Sequence, residues 1–143
     1  MTQRDLWNAR YQERGAVWGV EPNQFVADRL RGLTPRRVLD LGSGQGRNAI
    51  WMAQQGHEVT AVDISDVATQ QGREIAAEVG VGVNFIAADL ATWEPGPEAF
   101  DLVVLAYMQA PVVDRKAIHA KAVRALAPGG RVLIVAHHRD NLE

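Results

Sequence analysis

The chain has 143 residues and no cysteine. That excludes disulfides, thiolate metal sites and a cysteine nucleophile, and it suits a reducing cytoplasm. Long apolar runs are also missing. The longest, Leu102 to Met108, falls far short of the ~20 residues of a membrane-spanning helix. The start, Met1-Thr-Gln-Arg-Asp-Leu-Trp7, is too polar for a signal peptide. Neither sign of charge dominates: the formal net charge is -2. No global field therefore draws the chain to nucleic acid or to an anionic membrane. There is no internal repeat, low-complexity tract or long linker. A hydrophobic content of 47% with 22% charged residues fits an ordinary soluble globular protein. The length suffices for one domain with a sizeable core.

What is present centres on Val38-Leu-Asp-Leu-Gly-Ser-Gly-Gln-Gly-Arg-Asn48. It reads as a buried strand entering a glycine-rich turn and then a helix. Asp40 precedes the turn, and Gly42, Gly44 and Gly46 alternate along it. Glycine allows positive φ and lets a ligand lie against bare backbone. The helix start that follows offers unpaired N–H groups to a carboxylate or phosphate. A second strand, Glu58-Val-Thr-Ala-Val-Asp63, ends in another acid. It lies roughly 20 residues beyond the glycines, where a doubly wound fold holds ribose hydroxyls. The pattern points to an adenosine-containing cofactor.

Helices are expected at 2–14, near 22–31, at 46–55, 66–79 and 114–126. Strands are expected at 37–42, 58–63, 83–89, 100–107 and 131–138. Most of the strands are valine-, isoleucine- and leucine-rich runs, as in a sheet covered on both faces. Pro22 suits a first helical turn, Ser65 and Asp114 suit N-caps, and Gly56 and Gly80 suit helix ends. Pro128-Gly129-Gly130 reads as a turn before the last strand, and 90–99 as a loop. Strand-helix alternation implies an α/β, Rossmann-like doubly wound sheet of about five parallel strands, with N-terminal helices. Residues 1–35 form a helical lid and 36–143 the cofactor-binding core of a single domain.

A dinucleotide fold prefers G-x-G-x-x-G, with its third glycine one position beyond Gly46. The spacing here is D-x-G-x-G-x-G. It resembles motif I of the class I S-adenosylmethionine-dependent methyltransferases. Four further segments resemble that family in order: Val59-Thr-Ala-Val-Asp63-Ile-Ser, Phe85-Ile-Ala-Ala-Asp89-Leu, Phe100-Asp-Leu-Val-Val-Leu-Ala-Tyr107, and Leu126-Ala-Pro-Gly-Gly-Arg-Val-Leu-Ile. Trp7-Asn-Ala-Arg-Tyr11 and Trp18-Gly-Val-Glu-Pro22 resemble its tellurite-resistance and thiopurine methyltransferase-like branch, which acts on small molecules.

The resemblance implies S-adenosylmethionine as cofactor and assigns roles. Asp63 accepts from the ribose hydroxyls and Asp89 from the adenine amino group. Ile64 packs on the adenine face, the Leu90 backbone meets the ring edge, and Ala88 is a further cofactor-binding residue. Gly42, Ser43 and Gly44 pass beneath the methionine moiety. Asp40 lies near its ammonium, and Arg47 or Asn48 near its carboxylate. Tyr11 and Trp18 close over the site, since an aromatic face attracts a cation. Plainer readings stand beside these. Asp63 caps a turn, Asp89 is a surface loop residue, and Trp7, Tyr11 and Trp18 staple the first helix. Trp51 and Trp93 are packing residues, His57 is a solvated loop residue, and His119 is a surface residue. Tyr107, His137 and His138, at strand ends on the ligand side, are candidate bases toward the acceptor.

Methyl transfer is an in-line displacement on an activated carbon, so alignment and exclusion of water dominate. No metal is required, and H-E-x-x-H is absent. The Asn/Asp-Pro-Pro-Tyr motif of amino-methylating nucleic-acid enzymes is replaced by Ala106-Tyr107-Met108-Gln109. A small-molecule acceptor, with neither nucleic acid nor membrane as partner, is the expectation. The family usually continues past the fifth strand with a helix and two antiparallel strands, apparently lacking here. The fifth strand is then expected to be an open edge capable of self-association. A non-catalytic cofactor-binding or scaffold protein and an NAD-dependent oxidoreductase remain as alternatives.

Overall fold

The computed structural model describes residues 2–16, 21–34, 36–106 and 112–136, with backbone only for 112–114. The elements in chain order are α1 (Gln3–Arg14), α2 (Gln24–Leu30), β1 (Arg37–Leu41), α3 (Arg47–Gln54), β2 (Glu58–Asp63), α4 (Asp66–Val79), β3 (Asn84–Ala87), β4 (Phe100–Ala106), α5 (Val112–Ala125) and β5 (Leu126–Val135). The strands form one sheet of order β3-β2-β1-β4-β5, and every neighbouring pair is parallel. The chain runs outward from β1 through β2 to β3, then returns to the other side of β1. That reversal opens a crevice at the carboxyl ends of β1 and β4.

Alternate strand residues face opposite layers. Val38, Val59, Ala61, Leu102 and Val104 pack with Ile50, Met52, Ile75 and Phe85 on the face that α3 and α4 cover. Leu39, Leu41, Val62, Val103 and Leu105 pack with Ile118, Ala122 and Ala125 of α5 on the other. This two-sided burial is why the strands read as apolar runs rather than as alternating ones.

Local chemistry sets most helix ends. Thr2 and Asp5 form a capping box on α1. Ser65 Oγ accepts from Ala68 N–H at 3.0 Å, and α4 ends at Gly80 with φ 79°. Three expectations are corrected. Asn23, not Pro22, starts α2, because its Oδ1 accepts from both Phe25 and Val26 N–H. Asp114 is the third residue of α5 rather than its cap, since the helix begins at Val112. Pro128-Gly129-Gly130 lies within β5: pairing starts at Phe100–Leu126 and resumes at Leu102–Arg131. Residues 127–130 therefore bulge opposite Asp101, and Gly129 takes φ 81°.

His57 is also unlike its sequence reading. It is 5% exposed, and its Nδ1 accepts from Arg36 N–H at 3.0 Å. The turn after α3 sets the ring against the Arg36 backbone instead of in solvent. Among the described residues, no helix is long and apolar enough to cross a membrane. No group of His, Asp and Glu among them is arranged to hold a metal ion.

Candidate cofactor site

The loop after β1 is tied to β2 before any ligand is considered. Gly42 and Ser43 N–H both donate to Val62 O, at 2.8 and 3.1 Å. Asp63 Oδ2 accepts from Gly44 N–H and its Oδ1 from Ser65 N–H, each at 2.9 Å. Asp63 O accepts from Ala88 N–H at 2.9 Å. One residue thus holds the glycine loop, the turn into α4 and the end of β3. Gly44, at φ 57°, passes so close beneath Tyr11 that a Cβ there would stand 2.9 Å from the phenol oxygen. Gly46, at φ 83°, starts α3 with no side-chain cap. The helix therefore presents bare N–H groups at its start.

A cavity of about 760 Å³ opens over this loop. It brings together seven residues singled out in the sequence: Tyr11, Asp40, Gly42, Ser43, Gly44, Arg47 and Asn48. Asp40 is 2% exposed, yet its Oδ2 has no hydrogen-bond partner, and neither has Ser43 Oγ. Burial first, and the charge of Asp63 second, push the Asp40 carboxyl up to about 7. Burial also raises Asp63, against the opposing effect of its two N–H donors. Tyr11 is raised by its own burial and by Asp63. Asn48 differs from expectation in one respect: its Oδ1 accepts from Asn23 N–H at 2.7 Å, so it fastens α2 to α3.

Asp63, Ile64, Ala88, Asp89 and Leu90 do not border that cavity. Ala88 and Leu90 pack toward α5, while Asp89 is exposed and its Oδ1 accepts from Ala91 N–H at 2.9 Å. Trp18, Tyr107, His137 and His138 lie outside the described residues. Several lining residues were not anticipated: Arg14, Glu21, Trp51 and Gln54. Trp51 is half-buried against the core as well. Its place four residues after Arg47 puts both on one helix face, a signal that the sequence did offer.

The helix α1 lies across the turn after β2. Arg4 Nε donates to Ile64 O at 2.9 Å, and Asn8 Nδ2 donates to Asp66 Oδ1 at 2.7 Å. Ser65 Oγ donates to Asn8 Oδ1 at 2.6 Å, and Gln71 Nε2 donates to Tyr11 O at 2.9 Å. Gln45 Nε2 continues the seam to Gly15 O at 2.7 Å.

A parallel sheet with this order, and an acid-tethered glycine loop at its switch point, defines a Rossmann-like α/β domain of the methyltransferase type. Residues 38–130 match the family described as "Methyltransferase domain". The chain belongs to that family, in the class I S-adenosylmethionine-dependent group. It is 32% identical over 117 residues to the ubiquinone biosynthesis O-methyltransferase of Idiomarina loihiensis, covering 81% of this chain and 48% of that protein. The chain thus spans about half the length of the curated relatives it matches. An S-adenosylmethionine-dependent methyltransferase from Thiobacillus denitrificans, solved with S-adenosyl-L-homocysteine, superposes with a TM-score of 0.69 at 26% identity. The match covers 94% of this chain and 56% of that one. TehB from Haemophilus influenzae gives a TM-score of 0.69 at 21% identity, over 90% and 44%. That likeness concerns the fold alone.

Proposed function

We propose that this chain binds S-adenosylmethionine and transfers its methyl group to a small-molecule acceptor. The observation that carries this reading is the pair of buried, unpartnered oxygens, Asp40 Oδ2 and Ser43 Oγ, beside an uncapped helix start. Such a site suits the zwitterionic end of an amino acid: a carboxylate for an ammonium, a hydroxyl and N–H groups for a carboxylate. Arg47 borders the same cavity with a further positive charge. Each Asp63 oxygen accepts one backbone N–H and keeps lone-pair capacity for a ribose hydroxyl. Asp89 then takes the adenine amino group. The cofactor supplies an electrophilic methyl carbon. The protein orients the acceptor and excludes water, with residues 1–35 as the cover.

The curated relatives' name, ubiquinone biosynthesis O-methyltransferase, supports an oxygen acceptor. The N-terminal resemblance to the tellurite-resistance and thiopurine branch supports a soft sulfur or chalcogen acceptor. Calorimetric titration with S-adenosylhomocysteine, with NAD as control, tests the cofactor. Saturable binding of the first alone is the expected result, and binding of NAD alone would overturn it. Methyl transfer is then scored on phenols, thiols, tellurite and a DNA oligonucleotide. Turnover confined to DNA would sink the small-molecule reading. Binding without turnover on any of them favours a non-catalytic role.

A further inference from the structure

The connection from β3 to β4 is a parallel crossover with no helix of its own. Its place is taken by residues 88–99, which form only short turns at 90–92 and 97–98. A loop packed on a sheet face leaves carbonyl groups that a helix would have satisfied internally. Here one side chain collects them. Lys121 Nζ donates to Leu90 O at 2.8 Å, to Ala91 O at 3.0 Å and to Trp93 O at 3.1 Å. These three bonds use all three ammonium protons. Glu94 Oε1 lies 3.3 Å away, and its other oxygen is 3.7 Å from Arg124.

Lys121 is 8% exposed, in a row with Ile118, Ala122 and Ala125 on the buried face of α5. A lysine at a core position of an amphipathic helix is unfavourable without partners. This one is fully engaged. The sequence carried the signal, because the 118, 121, 122, 125 spacing marks an apolar stripe with one charge inside it.

The clamped turn begins at Asp89. Thr92 and Trp93 N–H donate to Asp89 O at 3.1 and 2.8 Å, while Asp89 Oδ1 accepts from Ala91 N–H. The carboxylate therefore caps the start of a single turn whose end is capped by the ammonium. Among the described residues, Asp89 Oδ2 has no partner. One residue earlier, Ala88 N–H is bonded to Asp63 O. The turn thus has two fixed ends, one at the acid at the end of β2 and one at α5.

We infer that Lys121 is a positioning residue that sets the purine selectivity of the site by fixing the turn that carries Asp89. The inference rests on the reading of Asp89 as the acceptor for the adenine amino group. Lys121 touches no cofactor atom itself. It acts by holding the Asp89 carboxylate in register with Asp63, so that one rigid edge meets the nucleoside.

The test compares two ligands by calorimetric titration of the chain: S-adenosylhomocysteine and its purine analogue, in which hydrogen replaces the adenine amino group. A charge-assisted hydrogen bond to that amino group makes the unaltered chain prefer the first by about tenfold. Lys121→Met is expected to reduce that ratio toward one while binding of the purine analogue stays within about twofold. Lys121→Gln, which keeps two donors, is expected to fall between. Should Lys121→Met fail to fold, the ratio for Lys121→Gln against the unaltered chain decides by the same criterion. Equal loss of affinity for both ligands would mark a merely structural lysine and overturn the inference. So would a full preference that survives the substitution. An unaltered chain that binds both ligands equally would instead overturn the Asp89 reading, and the inference with it.

Discussion

Asp40 and Asp63 stand at the carboxyl ends of neighbouring strands, and the charge of Asp63 helps hold the Asp40 carboxyl at about 7. Asp63 has two backbone N–H donors, whereas Asp40 Oδ2 has none. The unsatisfied acid is the one on the cavity.

This asymmetry gives the first prediction. Between the unfolded value of 3.8 and about 7, the folded chain keeps a proton on Asp40 that the unfolded chain has lost. Stability from this group therefore declines as pH rises through that window. Asp40→Asn is expected to remove the decline and to stabilise the ligand-free protein at pH 8 by roughly 1–3 kcal/mol. It should weaken S-adenosylhomocysteine binding about 10- to 100-fold, because the ammonium loses its carboxylate. Urea unfolding and titration at pH 6 and 8 check both parts. An Asn variant that is less stable at pH 8 would contradict the first.

His57 gives an opposite slope. Burial lowers its pKa, and a protonated Nδ1 cannot accept the Arg36 N–H. The stability it contributes is present above the unfolded value of 6.5 and is lost as pH falls toward the lower folded value. His57→Asn keeps an acceptor near the Nδ1 position without a titrating group. Unfolding midpoints measured from pH 7 to pH 5 should fall less steeply in that variant. Equal slopes would remove His57 as the cause.

Gly72 in α4 offers a test with a sign that helix propensity gets wrong. Exchanging a helical glycine for alanine ordinarily stabilises by about 0.5–1 kcal/mol. Here a Cβ would stand 2.7 Å from the Phe85 ring and 2.8 Å from Gln45 O. Gly72→Ala is expected to destabilise by roughly 1–3 kcal/mol and to weaken cofactor binding by displacing the glycine loop. Phe85→Leu should relieve the ring clash but not the contact with the Gln45 carbonyl, so rescue is partial. A stabilised Gly72→Ala variant would mean that the close approach is not present.

The two acids proposed to meet the adenosine are expected to separate under the same substitution. Asp63→Asn presents an amide N–H₂ to one of two backbone donors, and should destabilise by about 1–3 kcal/mol. Asp89→Asn keeps an oxygen for Ala91 N–H on an exposed turn, and should change stability by less than about 0.5 kcal/mol. Both should weaken S-adenosylhomocysteine binding. Loss of binding in the first alone would assign Asp89 to the turn only.

The sequence and the structure agree where local chemistry decides. The bounds of α4 follow from the Ser65 cap and the Gly80 terminus, and β1, β2, β3 and β4 lie within the apolar runs read for them, whereas β5 begins ahead of its run, at Leu126. Disagreement begins where the deciding partner is distant. Nothing in Leu126-Ala-Pro-Gly-Gly-Arg131 reveals that Leu126 pairs with Phe100 before the bulge. Likewise, only the fold places His57 under Arg36 or Asn48 against Asn23. At the site, the glycine spacing and the strand-end acids were legible because each is a local backbone requirement. The dual tethering by Asp63, and the share of Trp51 in the cavity wall, depend on how the elements meet.

The helix α1 contributes no fully buried residue, and its attachments to the turn after β2 and to α4 are polar. If the N-terminal segment covers the site as proposed, α1 would act as a latch rather than as part of the hydrophobic body. Opening it trades a few hydrogen bonds for water, each worth about 1 kcal/mol net, and leaves both apolar layers closed. Traffic through the cavity that Tyr11 lines would thereby be uncoupled from global unfolding. Amide protons of α1 will exchange well before those of β1, and a bound nucleoside will slow the first set while scarcely altering the ranking of the second.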